Sequence, residues 1–291
     1  MLTVRAPATS ANLGSGFDVF GVALDRPADI VRVERARRTT IEVTGVGSQY
    51  IPTDPAKNTA GVVADELDAP AKIVIDKGVR PSSGMGSSAA SAAGAAVALD
   101  VLYDRNLTKR ELVRIAAKGE AVVSGSPHAD NVAPAILGGF TIVREDGIES
   151  VDASLPLVVC LPDIVVSTRD ARKVVPEQVA TRDLVETVGS AATLTLGMCR
   201  DDPELVGRGM MEHVITPVRA ELVEGYDTAV RKAKDAGAMG VTVSGAGPAL
   251  LAVTNPGRQQ AVGAAMIDAF ASMDVEARTF AVNIGSGATI H

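Results

Sequence analysis

Between Pro81 and Ala90 the chain reads Pro81-Ser82-Ser83-Gly84-Met85-Gly86-Ser87-Ser88-Ala89-Ala90, and small residues continue through to Tyr103. Glycines take backbone angles closed to other residues, and alanine is the best helix former, so this pattern predicts a tight loop opening a helix. A helix faced with alanines and Gly94 fills its surroundings only if neighbouring elements approach closely. The chain therefore has to wrap other structure around this helix. In such a loop successive N–H groups can turn toward one point while the helix adds its positive end, an arrangement suited to phosphate. A Gly/Ser connector ahead of a core helix has the same composition, and these residues alone leave both readings open. No Lys follows the last glycine as in a Walker A loop, and the spacing fails G-x-G-x-x-G, which sets those two nucleotide sites aside.

The flanking sequence alternates strands with helices. Leu2 to Ala6, Asp18 to Leu24, Asp29 to Arg35 and Thr40 to Thr44 read as strands, followed by a helix from Asn58 to Leu67 and a strand from Ala71 to Ile75. Thr108 with Glu111 forms a capping box that starts a helix ending near Ser124-Gly125, and a strand follows from Phe140 to Arg144. The polar stretch Glu145 to Ser154 is the expected boundary between two domains, 1–150 and 151–291. Beyond it come a strand (Leu157 to Leu161), helices (Arg182 to Leu196, Pro203 to Val214, Val218 to Ala236), two strands (Gly240 to Ser244, Ala249 to Thr254), a helix (Arg258 to Ser272) and a strand (Glu276 to Val282). Strands mixed with helices in both halves imply an α+β fold.

A formal charge of −7 and a pI near 5.1 disfavour a nucleic-acid partner, which needs a broad basic surface. The longest apolar runs, such as Leu155 to Leu161, are too short to cross a bilayer, and Met1 to Pro7 lacks the basic-then-apolar pattern of a secretory signal, so a cytoplasmic protein without membrane contact is expected. Cys160 and Cys199 have no neighbours at metal-ligand spacing and are read as core thiols. Glu120 lies four and eight residues after Ala116 and Leu112, which puts a carboxylate on the inward stripe of the capped helix. A buried carboxylate needs a partner, and a cation, an arginine or backbone amides would each serve.

The segment Pro81 to Ala90 resembles the P-x-x-x-G-[LM]-G-S-S-A-A motif of the GHMP small-molecule kinases. Ala6 to Gly21, Gly125 to Ala135 with Gly138-Gly139-Phe140, and Val243-Ser244-Gly245-Ala246-Gly247-Pro248-Ala249 resemble further motifs of that family, in the form carried by its homoserine kinase branch. The resemblance implies two α+β domains, the first like the second domain of ribosomal protein S5 and the second ferredoxin-like, with ATP and an alcohol meeting between them. It implies nucleotide contacts along Pro81, Ser82, Ser83, Gly84, Met85, Gly86, Ser87, Ser88, Ala89 and Ala90, with Lys77 near phosphate and Asn58 near the base. It implies Mg²⁺ held by Ser88 and Glu120.

For the acceptor, the resemblance implies L-homoserine, whose ammonium, carboxylate and hydroxyl call for acid, base and neutral groups. Asp18 and Asp130 would take the ammonium, Arg172 and Arg219 the carboxylate, with Asn12, His128 and Gly245 as further contacts. Where mevalonate and sugar kinases of the family carry an aspartate base, this chain has Asn131, so catalysis by positioning is expected, with Asn131 orienting the hydroxyl. Shikimate, pantoate and mevalonate remain alternative acceptors, as does a catalytically silent sensor of ATP or an amino acid. A homodimer is expected from the same resemblance.

Overall fold

The computed structural model describes residues 1–125 and 128–291, less the side chains of Val123 and Ser124; the Ser126-Pro127 part of the third motif lies outside the described residues. The chain begins with strands β1 (Leu2–Ala11), β2 (Phe20–Arg35) and β3 (Thr40–Gly45), then α1 (Thr59–Glu66), β4 (Ala71–Lys77), α2 (Ser87–Leu102), α3 (Lys109–Ser124), α4 (Val132–Leu137), β5 (Phe140–Val143) and β6 (Ile148–Val151). It continues with β7 (Pro156–Pro162), α5 (Thr168–Lys173), α6 (Thr181–Arg200), α7 (Pro203–Gly209), α8 (Ile215–Ala220) and α9 (Tyr226–Asp235). The last elements are β8 (Ala238–Val243), β9 (Leu250–Thr254), α10 (Gln259–Ala271), β10 (Ala277–Asn283) and β11 (Thr289–Ile290).

Two sheets organise these elements. The first runs β11-β1-β2-β4-β3, with β5 on β2 and β6 outside β5. β2 is one strand of 16 residues where the sequence suggests two. Its register against β1 slips between Pro7 and Thr9, which pair with Ala28 and Ala23, so the interruption at Asp25 to Pro27 is absorbed as a bulge. The two halves then serve different partners: Phe20 to Val22 pair with β5, and Ile30 to Arg35 with β4.

Helix α2 lies buried between this sheet and α3, with Ala89, Ala92, Ala93 and Ala96 packed among Val4, Val31, Val33, Ile73 and Ile75 on one side and Val113 and Ala116 on the other. Its alanine content is the consequence, because only small side chains allow contact on every face. The predicted capping box is present: the Thr108 hydroxyl accepts from the Glu111 N–H (3.3 Å) and the Glu111 carboxylate from the Thr108 N–H (2.8 Å).

The second sheet, β10-β7-β9-β8, is antiparallel throughout. Alternate residues of β7 face opposite ways. Val158 and Cys160 join α9 and α10 in one core, while Leu157, Val159 and Leu161 pack with Leu13, Phe20, Leu24 and Phe140 of the first lobe. The lobes therefore share a hydrophobic core, in which each fully buried Leu or Phe contributes about 1.5–3 kcal/mol.

Several expectations need correction. The helix expected from Val218 to Ala236 is two helices: α8 stops at Ala220, and α9 starts at Tyr226 after its left-handed N-cap Gly225 (φ +87°). The helix expected to reach Val214 stops at Gly209. Apart from these corrections, β6 lies within the polar stretch Glu145 to Ser154, and β11 returns from the C-terminal end to pair with β1. Cys160 is buried, with burial pushing its thiol up to about 12, but Cys199 is exposed. Among the described residues no helix is long and apolar enough to cross a membrane.

Candidate active site

The residues between β4 and α2 form a loop with Ser82, Gly84 and Gly86 in the left-handed region (φ +53°, +78° and +63°). Two of these positions are closed to larger residues. A Cβ on Gly84 would lie 2.5 Å from the Ser244 carbonyl oxygen, and one on Gly86 would lie 2.0 Å from the Thr9 hydroxyl. Gly86 is the N-cap of α2, so the loop leads directly onto the unpaired N–H groups of a helix start. The Val243 to Ala249 segment clamps the loop from the second lobe: Ala249 N–H donates to the Ser83 carbonyl (3.1 Å), and the Ser244 hydroxyl bridges the Gly84 carbonyl (2.7 Å) and the Ser10 hydroxyl (2.8 Å).

This loop forms one end of a cavity of about 560 Å³ between the lobes. It is lined by Pro81, Ser82, Ser83, Gly84, Gly86, Ser87 and Ser88, by Asn12, Asp18, Asn58, Lys77, Glu120, His128, Asp130 and Asn131, and by Arg172, Arg219 and Gly245. Met85, Ala89 and Ala90 are the exceptions among the expected nucleotide contacts. Their side chains are core residues, and Ala90 N–H is spent on the Gly86 carbonyl (2.9 Å). They support the loop from behind.

Glu120 reaches from α3 to the mouth of α2, where its carboxylate accepts from the Ser88 hydroxyl at 3.0 Å. Burial pushes its pKa up to about 7, with the Ser88 bond and the Lys77 charge opposing. A hydroxyl and a buried carboxylate side by side are hard oxygen donors, the chemistry that Mg²⁺ selects, and a cation would return this carboxylate to its ionised form. The donor set fits a magnesium ion.

Asn131 precedes α4, and its side-chain oxygen accepts from the Thr9 hydroxyl at 2.8 Å. That bond fixes which way the amide faces, leaving its NH₂ as a donor. Asp130 is buried beside it, and burial pushes its carboxyl up to about 6, with the Asp18 charge adding to the rise and His128 and Arg219 opposing. Asn12 fixes the neighbouring loop, its Oδ1 accepting from Asp18 N–H (3.0 Å) and its Nδ2 donating to the Gly245 carbonyl (2.9 Å). Asp18 holds a left-handed conformation (φ +59°) and pairs across the cleft with Arg172 at 2.7 Å. Arg172 also meets His128 Nε2 at 3.2 Å, which makes that nitrogen the acceptor. Arg219 is buried and donates to the carbonyls of Gly245 (2.9 Å) and Ala171 (3.3 Å). Two acids and two arginines thus line the same cavity as the loop.

Lys77 and Asn58 both line the cavity, each held by its own hydrogen bonds. The three ammonium protons of Lys77 are engaged by the Asp29 carboxylate, the Ser87 carbonyl (2.7 Å) and the Ser91 hydroxyl (2.9 Å), so it holds the first turn of α2 in place. Asn58 caps α1 through Ala60 N–H (3.0 Å) and ties down the Pro52 carbonyl (2.7 Å), building the cavity wall. Sequence reading missed Asp29 altogether. Its carboxylate also accepts from Gly78 and Val79 N–H (3.1 Å each), immediately ahead of the loop. An acidic residue within an apolar strand was the available signal, but its partners are 48 to 62 residues away.

A two-lobed α+β protein with a glycine-bent helix mouth and a polar acceptor pocket in one cleft has the form of a small-molecule phosphotransferase. The GHMP kinases N terminal domain model matches residues 55–139 and the GHMP kinases C terminal model residues 174–272. Homoserine kinase of Haloquadratum walsbyi is 70% identical over 290 residues, covering 100% of both chains, and that of Halorubrum lacusprofundi is 67% identical, covering 100% of this chain and 99% of its own. The crystal structure of homoserine kinase from Cytophaga hutchinsonii superposes with a TM-score of 0.91 at 32% identity, covering 100% of this chain and 97% of that one. The chain belongs to the GHMP kinases and, within them, to the homoserine kinase family. The crystal structure of L. major mevalonate kinase in complex with R-mevalonate shares the fold at 18% identity and a TM-score of 0.74, covering 97% of this chain and 95% of that one.

Proposed function

We propose that this chain transfers the γ-phosphoryl group of ATP to the side-chain hydroxyl of L-homoserine, giving O-phospho-L-homoserine and ADP, the step that feeds threonine synthesis. One observation carries this reading: a single cavity is lined both by the helix-mouth loop with Glu120 and by Asp18, Asp130, Arg172 and Arg219. The acid–base quartet matches a zwitterion. Shikimate, pantoate and mevalonate have a carboxylate for the arginines but no ammonium for the two aspartates, which favours homoserine among the alternatives.

In this reading the loop amides from Gly84 to Ser88 and the start of α2 hold the triphosphate. Ser88 and Glu120 would hold Mg²⁺, which when bound supplies positive charge to the phosphates. Asp18 and Asp130 bind the ammonium; Arg172 and Arg219 grip the carboxylate; Asn12, His128 and Gly245 keep these groups in position. Asn131, its amide set by Thr9, donates to the acceptor oxygen and orients it. Phosphoryl transfer proceeds through a loose transition state, so in-line positioning suffices without a strong base. Retention of Ser88 and Glu120 side by side favours an enzyme over a silent sensor.

We place the protein in the cytoplasm and infer a homodimer, supported by the exposed Leu184, Val185 and Val188 on α6. Sedimentation should show twice the chain mass, and V188E should shift it to the monomer. The function is tested by ADP release across homoserine, shikimate, pantoate and mevalonate. Turnover that depends on homoserine is expected; turnover on another acceptor alone would contradict it.

A further inference from the structure

Phe17 precedes Asp18 in the loop between β1 and β2 but is not among the residues lining the cavity. Both acceptor-end guanidinium groups lie over its ring, Arg219 with Cζ 4.7 Å from the centroid and Arg172 at 5.2 Å. The ring comes from the first lobe and the arginines from α8 and α5 of the second. Two cations brought this close repel one another. The negative face of an aromatic ring attracts both at such distances, and guanidinium stacks on it readily.

The remaining contacts hold each arginine at its edges. Arg219 is tethered through the Gly245 and Ala171 carbonyls and Arg172 through Asp18 and His128. None of these hydrogen bonds is shared by both side chains; the Asp18 charge acts on both, and the Phe17 ring is the group that both guanidinium planes lie over. We propose that Phe17 is a positioning residue that holds Arg172 and Arg219 as a matched pair for the carboxylate of the acceptor, and so sets the preference for alcohols that carry a carboxylate over those that lack one. This inference rests on the function proposed above. A purely space-filling ring would be replaced without loss by leucine.

The test uses the full-length enzyme, with steady-state kinetics on L-homoserine and on 3-aminopropan-1-ol, which has the same hydroxyl and ammonium but no carboxylate. F17L is expected to raise KM for homoserine about five- to tenfold, from the attraction lost at two guanidinium groups. It should leave kcat and the KM for ATP nearly unchanged, and lower the preference for homoserine over the alcohol without a carboxylate by the same factor. Should F17L not fold, trifluorophenylalanine at Phe17 keeps the shape and removes the negative face, with the same result expected. An unchanged KM, or an equal loss on both alcohols, overturns the proposal. If the wild type ignores homoserine but takes another hydroxy acid, the assigned substrate is wrong and Phe17 is judged on that acid against its neutral analogue. No turnover on any acid overturns both.

Discussion

Glu120 and Asp130 are the residues whose surroundings most alter their chemistry. Both are buried acids with raised pKa values, about 7 and about 6. Replacing Glu120 by Gln keeps the shape and removes a charge that burial penalises. E120Q should lower kcat at least about a hundredfold while leaving the unfolding midpoint unchanged or slightly higher; comparing turnover with thermal unfolding checks this. Asp130 must be ionised to hold an ammonium, so kcat/KM for homoserine should fall as pH drops below about 6. The stability effect has the opposite sense. Because the folded chain holds this proton more tightly than the unfolded chain, Asp130's contribution to stability is fully present below its ordinary value near 4 and is lost as pH rises through about 6. D130N should remove both dependences, read from a pH–rate profile and from denaturant unfolding at several pH values.

At the scale of elements, what sets the site is the way α2 is held. Its first turn is anchored by the buried Lys77–Asp29 pair, and Asp29 also holds the backbone at Gly78 and Val79 just before the loop. Removing one partner of a buried pair strands the other charge, so D29N should cost about 3–5 kcal/mol of stability, measured by denaturant unfolding. The loop, α2 and the capping box were legible in the sequence because each is specified within a few neighbouring residues. So was the inward position of Glu120, since helical periodicity is local. Asp29, Thr9 and the spent amide of Asn58 were not, because their partners come from distant segments. Nor does anything near Lys77 in sequence reveal the acid that holds its ammonium. The merged β2 shows local propensity overridden by pairing, and the divided α8 and α9 show a helix that ends at Ala220 and restarts only after the left-handed Gly225.

The molecule as a whole behaves as two lobes with one shared core. Leu157, Val159 and Leu251 of the second sheet pack with Leu24 and Phe140 of the first, and the Val243 to Ala249 segment is hydrogen-bonded to the phosphate loop. Calorimetry should therefore show one cooperative unfolding transition with the calorimetric and van't Hoff enthalpies equal; two separated transitions would contradict a shared core. The same junction brings Arg172 and Arg219 of one lobe beside Phe17 and Asp18 of the other. The most direct test is a crystal structure with a non-hydrolysable ATP analogue, Mg²⁺ and L-homoserine. It should show the β- and γ-phosphates against the amides of Gly84 to Ser88, the metal on Ser88 and Glu120, and the homoserine hydroxyl in line beside Asn131. A triphosphate bound elsewhere, with that helix mouth facing only solvent, would contradict the account.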